Sequence, residues 1–71
     1  MFVKYSIRIG EREISVSMEK EFWDALRDIA ADRNTTLSAL LREVIDQNHR
    51  DLDERRLASA LRVYVLEQLA P

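Results

Sequence analysis

The chain of 71 residues contains no cysteine, so neither a disulfide framework nor a thiolate zinc site can stabilise it. The reducing cytoplasm is therefore its expected compartment. Glycine occurs once, at Gly10, and proline once, at Pro71, which excludes a glycine-rich phosphate loop and any proline-rich or low-complexity linker. His49 is the single histidine and has no companion at ligand spacing, so neither a metal nor a cofactor is expected. No nucleophile is paired with a base in any familiar spacing, and an enzyme is not expected. No run approaches the roughly 20 apolar residues of a membrane span, and the N-terminal MFVKYSIRIGE lacks the apolar region of a signal peptide. A membrane partner is not expected either. Positive charge is also short, at 11 basic against 13 acidic residues.

What remains is a hydrophobic fraction of 46% in a chain long enough for one domain. A domain of this size buries only about 60% of the surface its unfolded chain exposes, which favours a homo-oligomer. The charge of −2 is unevenly spread. Lys4, Arg8 and Arg12 against Glu11 and Glu13 leave the first 18 residues at +1, while residues 19 to 53 carry five basic and nine acidic side chains. Residues 54 to 71 return to +1, with Arg55, Arg56 and Arg62 against Glu54 and Glu67.

The stretch YSIRIGEREISVSME alternates apolar and polar residues on both sides of Gly10-Glu11. Glycine at the first central position supplies the positive φ of a type II′ hairpin turn. Counting outward pairs Ile9 with Arg12, Arg8 with Glu13, Ile7 with Ile14, Ser6 with Ser15, Tyr5 with Val16, Lys4 with Ser17 and Val3 with Met18. One face is then Val3, Tyr5, Ile7, Ile14, Val16 and Met18, and the other is Lys4, Ser6, Arg8, Glu13, Ser15 and Ser17. A slip of one residue in either strand would mix the two sets, so the pattern fixes the register.

From Glu19 the period becomes helical, with Phe22, Leu26, Ile29 and Ala30 in a stripe flanked by Trp23 and Ala25. Asn34 suits a left-handed C-cap, and Thr35 or Thr36 can cap a second helix with Leu37, Leu40, Leu41, Val44 and Ile45 on one side. Asp51 followed by Glu54 predicts a capping box for a third helix carrying Leu57, Leu61, Tyr64, Val65 and Leu69. Asp24, Asp28 and Asp32 fall on one helical face interrupted by Arg27, as a solvated surface would. The expected organisation is one α+β domain over residues 1–71, with a hairpin over 2–18 and helices over 19–32, 36–49 and 53–70.

The segment EISVSMEKEFWDALRDIAADRNTTLSALLREVI resembles the ribbon-helix-helix (MetJ/Arc-like) proteins: an alternating strand, a helix, a polar turn and a second helix opening Leu-Ser-x-Leu. With SIRI before it and LASALRVYVLEQLA after it, nearly the whole chain resembles a bacterial subfamily with an added N-terminal strand and C-terminal helix. The resemblance implies an intertwined homodimer with a shared antiparallel sheet, Ile14, Val16, Met18, Leu40, Leu41 and Val44 lying in its interface. It implies that Glu13, Ser15 and Ser17, the outward residues of the paired strand, meet double-stranded DNA, and the expected DNA-binding sheet face takes in Lys4, Ser6 and Arg8 of the added strand beside them. It also implies a phosphate held at the N-terminus of the second helix by Thr36, Leu37 and Ser38, to which Arg33 is added as a cation close in sequence.

Physical limits shape how such a dimer could meet DNA. Serine bonds almost any base and glutamate repels phosphate, so Glu13, Ser15 and Ser17 discriminate weakly. Four strands at about 4.8 Å spacing span about 14 Å before side chains are added, against a major groove about 12 Å wide. Central strands over the groove would then direct Lys4 and Arg8 at the phosphates of its walls. The expected function is a dimeric transcriptional repressor or regulator, with an antitoxin-like role as a variant. The rival from another class is a dimeric adaptor that keeps the fold and binds a protein partner.

Overall fold

The computed structural model describes residues 1–48 and 53–70. Its elements are β1 (Phe2–Ile9), β2 (Arg12–Glu19), α1 (Lys20–Asp32), α2 (Leu37–Asn48) and α3 (Glu54–Leu69). The strands form one antiparallel hairpin with every pair the alternation implies, from Val3 opposite Met18 to Ile9 opposite Arg12. Gly10 has φ 63° and no neighbour close enough to crowd an added Cβ, so the turn needs glycine for its backbone alone.

Helix ends follow from local chemistry. Asn34, at φ 56°, closes α1 in a Schellman arrangement: its amide donates to the Ala31 carbonyl at 3.1 Å and the Thr35 amide to Ala30 at 2.9 Å. Thr36, not Thr35, starts α2, its Oγ1 accepting from the Ala39 amide at 3.1 Å. The α3 cap differs from the expected one. Asp53 accepts from the Arg56 amide at 2.8 Å, so the helix begins at Glu54 with an arginine where a capping box has glutamate. Expectations that fall on His49 and Asp51 lie outside the described residues.

Val16 and Met18 of the sheet, Trp23, Leu26 and Ala30 of α1, Leu40, Leu41 and Val44 of α2, and Leu57, Ala58, Leu61, Tyr64 and Val65 of α3 form one core. Trp23 stacks on Tyr5 with ring centroids 4.2 Å apart, which places α1 beneath the apolar face of the hairpin. Phe22 turns instead toward Arg62 of α3. Arg62 bonds Glu19, before the first residue of α1, and Tyr64 bonds Arg33, after its last. Side chains two residues apart on α3 thus reach opposite ends of α1, and the third helix lies across the first. Leu69, expected in the packed stripe, is 69% exposed. Tyr64 and Val65 are the last buried residues of α3, and its final turn runs on past the core.

Candidate nucleic-acid interface

Alternation places Phe2, Lys4, Ser6 and Arg8 of β1 beside Glu13, Ser15, Ser17 and Glu19 of β2 on the face away from α1. Lys4, Ser6, Arg8 and Glu13 are exposed, and Ser15 and Ser17 are half-buried. At the centre the Ser6 and Ser15 hydroxyls meet at 3.5 Å. Arg8 stands opposite Glu13 in register, yet the ion pairs among the described residues are Lys20 with Asp24, Arg33 with Glu43, and Arg62 with Glu19. Lys4 and Arg8 therefore present their charge to solvent.

The second expected element lies against the first. Ser38, in the first turn of α2, donates its hydroxyl to the Arg8 carbonyl at 2.9 Å. That carbonyl points outward because a two-residue hairpin closed by Ile9 and Arg12 turns the backbone groups of Arg8 away from β2. The helix start is thereby pinned along the outer edge of β1. Thr36 uses its hydroxyl for the cap, and the amides of Leu37 and Ser38 are first-turn donors with no partner inside the helix. Their positive end of the helix dipole sits beside the Arg8 backbone, which makes one edge favourable to an anion.

Other expected site residues are placed differently. Arg33 donates through Nη1 to the Tyr64 hydroxyl and approaches Glu43 at 3.5 Å through Nη2, so it ties α1 to α2 and α3. Leu37 packs against the core. Ser17 donates to Glu54 Oε1 at 3.1 Å, which draws the start of α3 to the polar side of β2. A shallow cleft of about 450 Å³ results, lined by Phe2, Ser17, Glu54, Arg55, Ala58 and Arg62. Arg55 joins the polar face in this way, a residue the sequence reading does not assign to it. The only signal for it was the small positive balance of residues 54 to 71.

The residues expected at a dimer interface are shielded within one chain: Val16, Met18, Leu40 and Leu41 at 0% exposure, Val44 at 2%, and Ile14 partly. Two further charged contacts lie at the junction of β2 and α1. Arg62 donates through Nε and Nη2 to Glu19 Oε1 at 2.9 and 2.7 Å, and this bond holds the Glu19 carboxyl below its ordinary pKa. Asp24, at 2.6 Å, raises the Lys20 ammonium above its own.

A hairpin whose second strand leads into two helices across a capped polar turn, Asn34 closing one and Thr36 opening the next, is the ribbon-helix-helix arrangement. The family described as a ribbon-helix-helix domain matches residues 2–69. The chain belongs to that family. No curated protein and no solved structure matches it. The match extends over β1 and α3 as well as the central strand and two helices, so the added elements are part of the ribbon-helix-helix domain here. Domains of this family are typically dimeric DNA-binding regulators and not enzymes. No described helix is long and apolar enough to cross a membrane.

Proposed function

We propose that this ribbon-helix-helix chain is a dimeric DNA-binding transcriptional regulator, a repressor in its simplest form, that grips duplex DNA mainly through phosphates. The observation that carries this reading is the bond from Ser38 to the Arg8 carbonyl. It sets two anion-attracting elements, the start of α2 and the cations Lys4 and Arg8, which join no ion pair among the described residues, along one edge of the sheet. In a dimer whose β2 strands pair at the centre, these edges become the two flanks of a four-stranded sheet. Spacing of about 14 Å across the strands suits phosphates on either side of a groove better than insertion into it.

Base recognition on this reading is modest. Ser6 and Ser15 offer short hydroxyls at the centre, and Ser17 is engaged by Glu54. Specificity would then come in large part from the shape of the duplex and the spacing of its phosphates. The packing of Leu57, Leu61 and Val65 into the core favours a regulator acting alone over an antitoxin-like one, which needs a segment available to capture a partner.

The second reading is a protein-binding adaptor of the same fold, favoured by the serines at the reading positions and by Glu13 on the outer face. Fluorescence anisotropy against a random-sequence duplex at two salt concentrations separates the two. The regulator loses affinity steeply as salt rises. No binding at low salt would leave the adaptor.

A further inference from the structure

In a hairpin closed by Ile9 and Arg12, alternate residues of β2 bond to β1 and the others turn their backbone groups outward. Glu13, Ser15, Ser17 and Glu19 are the outward set. Their amides and carbonyls form an edge of the kind on which another strand adds. The third helix stands against one end of it. Glu54 takes the hydroxyl of Ser17 and Arg62 takes the carboxylate of Glu19, both on the polar face of β2. Leu57 and Leu61 share the core with Val16 and Met18 on the apolar face of the same strand. Since β1 occupies the other side, a helix reaches both faces of β2 only by lying along its open edge.

The middle of a helix has no unpaired backbone groups to offer, so α3 covers this edge without bonding to it. Nor is there room for both neighbours. A paired strand sits about 4.8 Å away, inside the space that a helix about 10 Å wide occupies. Antiparallel pairing of two copies centred on Ser15 would set Ser17 of each opposite Glu13 of the other. A helix over Ser17 and Glu19 interrupts that ladder at both ends.

We infer that α3 is a strap on the dimerisation edge: docked in the single chain, it competes with the strand of a second copy, and pairing through β2 requires its first half, from Glu54 to Arg62, to move aside. This rests on the proposed dimeric reading. The strap is held by a compact clamp. Arg62 bonds Glu19 twice and lies 5.6 Å from the centre of the Phe2 ring and 5.9 Å from that of Phe22, so one side chain joins β1, the β2–α1 junction and α3. Release forfeits these contacts together with the burial of Leu57 and Leu61 beside Val16 and Met18, and dimerisation is weaker by that amount.

The absence of native cysteine allows a direct test. A Ser17→Cys, Glu54→Cys chain is bridged at high dilution with a short flexible thiol-reactive linker, and its association is followed by sedimentation beside the unbridged chain. Far-UV circular dichroism checks folding of both. The bridged chain should stay monomeric at concentrations where the unbridged chain dimerises. Arg62→Ala, which loosens only the docked state, should lower the dimer dissociation constant on the order of fivefold. Equal dimerisation of bridged and unbridged chains would overturn the strap and leave a dimeric DNA-binding protein standing. A wild-type chain that is monomeric at every concentration, with Arg62→Ala alike, would also overturn it. The anisotropy titration then decides independently whether DNA binding survives.

Discussion

Removing Lys4 and Arg8 together tests the phosphate-facing edge most directly. Both side chains are exposed, neither is ion-paired among the described residues, and their strand is secured by Ser38 through the backbone and not through either side chain. Lys4→Ala, Arg8→Ala should therefore change stability by no more than about 0.5 kcal/mol. Each copy of a dimer supplies two such cations, so up to four phosphate contacts are lost. At about 0.9 per contact, the slope of log affinity against log salt should flatten by about 3.6. Over a fourfold rise in salt, that slope amounts to roughly a 150-fold loss of affinity in the wild type that the variant escapes. Anisotropy titrations on one duplex at four salt concentrations give the slope, with thermal melts confirming the fold. Arg27→Ala is the control, an exposed cation on α1 away from the polar face. An unchanged slope in the double variant, or an equal flattening in the control, would refute the assignment of phosphate contacts to β1.

Ser38→Ala removes the bond to the Arg8 carbonyl and should cost about 1 kcal/mol of stability. It should also weaken DNA binding several-fold with the salt slope unchanged, whereas Ser38→Thr, which keeps the hydroxyl, should restore both; a variant with unaltered affinity would mean that the pinned helix start does not matter. Leu61→Ala, at a position with 0% exposure, should cost about 2–5 kcal/mol in urea unfolding, a large share of what so small a domain has. A loss under about 1 kcal/mol would show that α3 is not packed in solution as described. Glu19 predicts the acid limb of the stability profile: its folded pKa is lowered by Arg62, so its contribution is complete above the ordinary value of 4.5 and is lost as pH falls through the lower folded value. Melting temperatures taken from neutral pH down to pH 3 should fall less steeply in Arg62→Ala than in the wild type, and equal slopes would count against the clamp.

The hairpin was legible because its information is local. One glycine fixes the turn, and two alternating strands allow one register that keeps Val16 and Met18 inside and Ser15 and Ser17 outside. The Asn34 cap was legible for the same reason. The start of α3 was not, since Asp51 has the Glu54 of a capping box three positions on, whereas Asp53 has Arg56 and caps through its own carboxylate alone. Only the geometry chose Asp53. At the candidate interface, alternation sorted outward from inward residues but could not say which outward groups are already engaged. Ser17 with Glu54 and Arg33 with Tyr64 join side chains 37 and 31 residues apart, and nothing in spacing or composition encodes such a contact. That the core ends at Val65 and leaves Leu69 exposed is likewise a property of the packed helices together.

A net charge of −2 does not by itself oppose a grip on phosphate, because the charge is sorted by layer. Glu21, Asp24, Asp28 and Asp32 belong to α1, which Trp23 docks under the apolar face of the hairpin. Lys4, Arg8 and the start of α2 lie at the other side or along its edge. The distance from a helical layer to a phosphate beyond the sheet is at least about 10 Å, one Debye length at 0.1 M salt. Repulsion from α1 is therefore largely screened under such conditions, while a cation in contact with phosphate is screened much less. On the polar face Glu19 is paired with Arg62 and Glu54 takes the Ser17 hydroxyl, whereas Glu13 stands opposite Arg8 and joins none of the ion pairs among the described residues. Glu13→Gln should accordingly tighten DNA binding at every salt concentration, by a few-fold at most for one exposed charge. A weakening would mean that Glu13 accepts a hydrogen bond from a base and reads sequence after all.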